Sequence, residues 1–183
     1  MPEFVALLRG VNIGKAGLVP TAELRTLMSR LGYTDVVTLL DSGNAVFGAA
    51  TGTPSSHAAK IAAAILSRLK IEVPVIVKSA GELAAIVTEN KIQPEAADHS
   101  RFLVAFVQNP KPLADLATIQ SLVKPPERFV VGRHAAYLFC ANGILESKAG
   151  EALLGKAGRS ATSRNWATVL KLNALATDRA MRR

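Results

Sequence analysis

TDVVTLLDSGNAVFG, residues 34–48, sets the topology of the N-terminal half. TDVVTLL (34–40) is β-rich, DSGN (41–44) is a cluster of turn residues, and AVFG (45–48) is a second short strand. Upstream, TAELRTLMSRLG (21–32) repeats Leu24, Leu27, Met28 and Leu31 at helical spacing, with Pro20 at its start and Gly32 as its left-handed stop. Downstream, TPSSHAAKIAAAILSRLK (53–70) predicts a second helix, capped by Thr53 with Pro54 in its first turn, that buries Ile61, Ile65, Leu66 and Leu69. FVALL (4–8) and VPVIVK (73–78) supply the outer strands. The order β-α-β-β-α-β is that of a ferredoxin-like α/β plait.

The pattern nearly repeats. SAGELAAIVTEN (79–90) opens on Ser79 and Glu82 at capping-box spacing and predicts a short linking helix. FLVAFV (102–107) is a strand and LADLATIQSLV (113–123) a helix. RFVVG and AAYLFC form a hairpin around Arg133 and His134, KAGEALLGKAG is a helix, and a short strand lies near Ser160–Thr162. SRNWATVLKLNALATDRAMRR closes the chain as a helix. The expected class is therefore α+β: two ferredoxin-like α/β plaits plus a C-terminal helix. The expected divisions are 1–78 for the first plait, 79–100 for a linker with a short helix, and 101–183 for the second half.

A chain of 183 residues accommodates two domains of about 90 residues each. With 49% apolar residues, a core forms without metal or disulfide staples. Cys140 has no partner cysteine and reads as a buried thiol in a reducing compartment. MPEFVALLRG lacks a basic signal-peptide start, and no apolar run approaches the roughly 18 residues of a membrane span. The expectation is a cytoplasmic protein without membrane contact, cofactor or metal. Twenty-two basic against 14 acidic residues leave a charge of +8. Residues 1–90 hold 8 basic and 7 acidic groups, while 91–183 hold 14 and 7. Such a field attracts anions, nucleic acid included, and it also describes a solvated basic helix and tail.

In a plait, the third strand runs antiparallel between the first and second. LLRGVNIGKAG (7–17), leaving strand 1, and Asp41-Ser42-Gly43-Asn44, entering strand 3, are then expected side by side. The first is not a P-loop: Gly10 to Gly14-Lys15 is one residue short of G-x-x-x-x-G-K, and Ala16 replaces the magnesium-binding hydroxyl. The dinucleotide pattern G-x-G-x-x-G is absent. Two readings remain. Successive N–H groups with Arg9 and Lys15 form an anion nest, or the glycines serve only a long turn in which Asn12 caps backbone. In TSRNW, capping by Thr162 or Ser163 would put Arg164 in a helix's first turn, where a cation is disfavoured by roughly 0.3–1 kcal/mol unless an anion joins it. Pairing with a carboxylate such as Asp41 is the alternative. Trp166 is expected to pack in the core with Val169 and Leu170.

FVALLRGVNIGKAGLVPTAELR, LLDSGNAVF and SATSRNWATVLKLNALA together resemble the bacterial family called domain of unknown function 1697, over essentially the whole chain. That resemblance implies a two-part plait fold and no established activity. It places Arg9, Gly10, Asn12 and Gly14 in a motif usually reading LLRGINVGG. Ser42, Gly43 and Asn44 fall in QSGN, and Arg164, Asn165 and Trp166 in TTRNW. This chain departs in having Lys15 for a glycine and Asp41 for glutamine. Lys15 makes the loop more basic and less flexible, and Asp41 sets a negative charge beside it.

Four functions are weighed. A binding module would bring Arg9, Asn12, Gly14, Lys15, Ser42, Gly43, Asn44, Arg164 and Asn165 into one polar, basic pocket at the junction of the two halves, around a small phosphate- or carboxylate-bearing ligand. Nucleic-acid binding would use the basic second half, although the aromatic sheet surface of an RRM is missing. An enzyme would draw on Asp41, His57, His99 or His134, all without a visible nucleophile–base pairing; each histidine is expected in an exposed loop or cap. In a purely structural role, Asn12, Asn44 and Asn165 would satisfy buried backbone. The sequence leaves oligomeric state open.

Overall fold

A computed structural model describes residues 1–10, 19–40 and 43–182. The chain divides into two compact units, Met1–Leu83 with Leu172–Arg183, and Ala84–Lys171.

The first unit runs β1 (Glu3–Leu8), α1 (Thr21–Arg30), β2 (Thr34–Leu39), β3 (Asn44–Gly48), α2 (Pro54–Leu69) and β4 (Val75–Ser79). Its sheet has the order β2-β3-β1-β4 with every neighbour antiparallel, so β3 lies between β1 and β2 as the plait requires. Thr53 caps α2: its side chain accepts from Ser56 N at 3.2 Å, and the Ser56 hydroxyl accepts from Thr53 N at 2.9 Å. Gly32, at φ +88°, ends α1 in a conformation that L side chains resist. One face of the sheet (Phe4, Ala6 and Leu8 with Ala45, Phe47 and Val77) packs on Leu24, Leu27 and Met28 of α1 and on Ile61 and Ile65 of α2.

Leu66 departs from expectation. It is 48% exposed, because Ile61 and Ile65 already form the inward stripe and Leu66 stands about 100° further round the helix. His57, expected in an exposed cap, is only 5% exposed. It sits edge-on to Phe4 and Phe47, its Nδ1 is 2.9 Å from the Tyr33 hydroxyl, and Gly52 leaves room for the ring. Burial first and nearby Lys60 second hold its pKa below the usual imidazole value.

The second unit repeats the topology. It runs β5 (Phe102–Val107), α4 (Leu113–Leu116), β6 (Arg128–Val131), β7 (Ala135–Phe139), α5 (Lys148–Leu154) and β8 (Ala161–Asn165), in the order β6-β7-β5-β8. Its core gathers Leu103, Ala105, Leu138 and Cys140 on Leu116, Ile119 and Leu153. The predicted helix 113–123 is one α turn continued as a 3₁₀ helix, Ala117–Leu122. Thr118 and Ser121 donate to the carbonyls three residues back, at 2.9 and 3.0 Å, which suits the tighter winding.

The boundary between the units falls inside two helices, α3 (Ala80–Glu89) and α6 (Trp166–Met181). The box at the start of α3 is present, with Ser79 N donating to Glu82 Oε2 at 2.7 Å and Glu82 N to Ser79 Oγ at 3.1 Å. Residues 101–183 were expected to form one piece. Instead the last twelve residues belong to the first unit, where Arg179 Nε lies 3.1 Å from Glu3 Oε2 and its Nη1 donates to Val46 O at 3.4 Å.

The start of α6 also differs from expectation. Neither Thr162 nor Ser163 caps it, and Arg164 is not in its first turn. β8 pairs with β5 as far as Leu103↔Asn165, so Arg164 is a strand residue opposite Val104, and Asn165 Oδ1 caps the helix by accepting from Thr168 N at 2.9 Å. The cause is the central strand β5, whose backbone groups are satisfied by extending β8 through Thr-Ser-Arg-Asn.

Candidate functional site

The end of β1 is wedged between two strand starts. Leu8 N donates to Gly43 O and Arg9 N to Pro74 O, each at 2.9 Å, and Leu7 pairs with Asn44. The two loops predicted to be neighbours thus leave the sheet from the same edge, at least through Arg9–Gly10 and Gly43–Asn44. Asn12, Gly14 and Lys15, together with Asp41 and Ser42, lie outside the described residues. Gly10 and Gly43 take φ +71° and +73°, which lets the chain turn sharply where both loops meet the sheet.

Arg9 is half-buried, and burial lowers its pKa. A guanidinium so placed stays protonated at neutral pH and gains from an anion beside it. Asn44 is buried, and its Nδ2 donates to Leu39 O at 3.1 Å, tying the last residue of β2 to the first of β3.

The third motif belongs to the second unit. Arg164 Nη1 donates to Thr162 Oγ1 and to Ser163 O, both at 2.9 Å, and burial brings its pKa down to about 10. It shares the sheet face of Phe102, Val104 and Phe106, opposite the core-facing alternation of Leu103, Ala105 and Val107. Trp166 packs edge-to-face on Phe102 at 5.6 Å, as expected of a core residue.

The remaining titratable candidates are held locally. His134 Nδ1 is 3.3 Å from Glu89 Oε1. The same carboxylate accepts from Arg133 N at 2.5 Å, from His134 N at 3.1 Å and from the Tyr137 hydroxyl at 2.9 Å. Burial pushes the Glu89 pKa up, but those hydrogen bonds together leave it below the usual carboxylate value. A Cβ on Gly132 would come within 2.4 Å of Glu89 Oε2, so a side chain there would push the carboxylate out of place. His99 is half-buried in a 3₁₀ turn. Among the described residues, no group of three or more His, Cys, Asp or Glu side chains is arranged to hold a metal, and no helix is long and apolar enough to cross a membrane.

Sequence reasoning missed two basic features. Lys78 on β4 is 6% exposed, and burial lowers its pKa while Glu82 opposes the shift. Its signal was a charge inside the apolar run VPVIVK. Lys156 and Arg159 line a cleft, whereas the expected helix KAGEALLGKAG ran on to Gly158; the helix ends at Leu154. Their signal was the second occurrence of Gly-Lys-Ala-Gly, at 155–158, after the first at 14–17.

No curated protein matches the chain in sequence. Among solved structures, the fold is similar to that of the conserved bacterial protein SP0830 from Streptococcus pneumoniae. The TM-score is 0.78 and the identity 22%, covering 96% of this chain and 98% of that one. Residues 1–137, which include the LLRG and SGN motifs, match the family described as "Protein of unknown function (DUF1697)", and the chain belongs to that family.

Proposed function

We propose that this is a cytoplasmic binding protein for a small phosphate- or carboxylate-bearing molecule, with its primary contacts at the end of β1. The observation that carries the proposal is the Leu8 N to Gly43 O hydrogen bond, which joins the end of β1, next to Arg9, to Gly43 of the SGN motif. Arg9 supplies a partly desolvated cation there. Asn12, Gly14 and Lys15 follow it in sequence and Ser42 precedes Gly43, residue types whose backbone N–H groups and second cation suit an anion nest. Arg164 is a buried cation in the second unit, and the two motifs are tested separately.

A thermal-shift series on the full chain tests the proposal. Inorganic phosphate, phosphate esters and short carboxylates are titrated into the wild type, Arg9→Gln and Arg164→Gln. Saturable binding to the native state raises Tm with ligand concentration. The proposal requires such a rise in the wild type and a smaller one in Arg9→Gln. A wild-type Tm indifferent to every anion would end it.

A structural reading is favoured for Asn44 and Asn165, because Asn44 bonds Leu39 O and Asn165 caps α6. Nucleic acid is the weaker partner. Plaits that bind single strands present aromatics on an open sheet, and every residue of β1 and β5 is buried.

A further inference from the structure

We propose a second anion site, in the second unit, that takes a phosphate monoester in the cleft where β5 ends and β8 begins. Val107 and Ala161 pair at that corner of the sheet. The chain leaves it through the segment before α4 and returns through residues 155–160 after α5. Between the two segments lies a cleft of about 670 Å³, within the range of small-ligand sites. Buried Val107 and Leu116 line it together with Asp115, Thr118, Lys156, Arg159 and Ser160.

The basic segment is held by backbone. Gly158 N donates to Ala152 O at 3.2 Å, Arg159 N to Lys156 O at 3.3 Å, and Ala161 N to Gly158 O at 2.9 Å. A Cβ on Gly158 would lie 1.7 Å from Leu153 O, so only glycine lets the segment fold back against α5. Two cations are thus kept three residues apart in a fixed turn, both lining the cleft.

Their charges are uncommitted. Arg68, Arg101 and Arg179 each have a carboxylate partner, whereas among the described residues the side chains of Lys156, Arg159 and Ser160 make neither a hydrogen bond nor an ion pair. Like charges lining one cleft repel, and a dianion bound with both offsets that cost. The pair with the Ser160 hydroxyl offers more donors than a monoanionic carboxylate uses, and matches the three oxygens of a phosphoryl group. Asp115 lines the same cleft. It disfavours a bare polyanion and accepts a hydrogen bond from a hydroxyl or ammonium on the ligand's organic part, which rests on Pro112 and Ala157.

The internal repeat supports the assignment independently of the cleft. β5 and β8 correspond to β1 and β4 in the shared strand order, and Val107↔Ala161 corresponds to Leu8↔Val75. Arg9 leaves the sheet at that corner in the first unit. The same corner of the plait therefore carries cations in both units, after β1 in the first and before β8 in the second.

The test is an amide NMR titration of the full chain with glycerol 3-phosphate, inorganic phosphate and acetate. Glycerol 3-phosphate is expected to shift amides of residues 107–118 and 155–161 saturably, more tightly than phosphate and far more tightly than acetate. Lys156→Gln/Arg159→Gln, two exposed changes checked by an otherwise unaltered spectrum, should weaken binding by roughly tenfold or more. Arg9→Gln should leave these shifts intact, which separates this site from the one at the end of β1. Equal affinity for all three probes, shifts confined to other segments, or a double variant that titrates like the wild type would each overturn the proposal.

Discussion

Replacing Arg179 with Met probes the contact that returns the end of the chain to the first unit. Glu3 lies on the sheet face turned away from α1 and α2, and its side chain is 0% exposed against 13% for Arg179. The Nε–Oε2 distance is 3.1 Å, and the guanidinium also reaches Val46 O. Methionine preserves much of the side-chain volume and removes the charge, leaving the Glu3 carboxylate in a space that water does not reach. Breaking a buried pair from one side costs about 3–5 kcal/mol. For a chain of this size, about 2–4 °C of Tm accompanies each kcal/mol, so a fall of roughly 6–20 °C is expected in a calorimetric scan. Glu3→Leu/Arg179→Met removes both charges and should recover most of the loss, since apolar replacement of a buried pair is often neutral. The reasoning fails if Arg179→Met costs less than about 1 kcal/mol by urea unfolding, or if the double variant is as unstable as the single one.

Asn44→Ala removes the bond to Leu39 O and should lower stability by about 1–3 kcal/mol in urea unfolding, whether or not ligand is present. An unchanged midpoint would return Asn44 to the ligand-binding set. His57 titrates below its ordinary value, so the unfolded chain binds its proton first and stability falls as pH drops from about 6.5 through the lower folded-state value. His57→Asn should flatten that part of a Tm-against-pH curve, and a slope that survives would show the burial argument to be wrong. Glu89 behaves alike at lower pH. Its stabilisation is complete above the ordinary carboxylate value near 4.5 and lost below it, so Glu89→Gln should abolish the second acid step and cost about 1–3 kcal/mol at pH 7.

Much of the fold was readable because local signals agreed with tertiary need. Thr53-Pro54 and Ser79-x-x-Glu82 began helices where they were expected, and β2 and β3 flank Gly43 of the DSGN cluster, with Asn44 opening β3. The misses share a cause: tertiary partners that no local pattern displays. Thr162 to Asn165 look like a helix start, but β5 recruits them as strand. Asn165 is as good a cap as Ser or Thr, so the true boundary was present in the sequence as one of several equivalent choices. His57 carries a polar label and is enclosed by Phe4, Tyr33 and Phe47, which are distant in sequence. The adjacency of Arg9–Gly10 and Gly43–Asn44 followed from strand order alone. The Lys156–Arg159 cleft depends on how residues 155–160 fold back on α5, which glycine spacing hints at and only coordinates define.

The most direct measurement is isothermal titration of a phosphate ester into the Lys156→Gln/Arg159→Gln chain, with and without Arg9→Gln, so that the end of β1 reports alone. One saturable site is predicted, with affinity reduced roughly 10- to 100-fold by loss of the guanidinium. Absence of any saturable heat, or an isotherm that Arg9→Gln leaves unchanged, would contradict the assignment of a ligand to that loop.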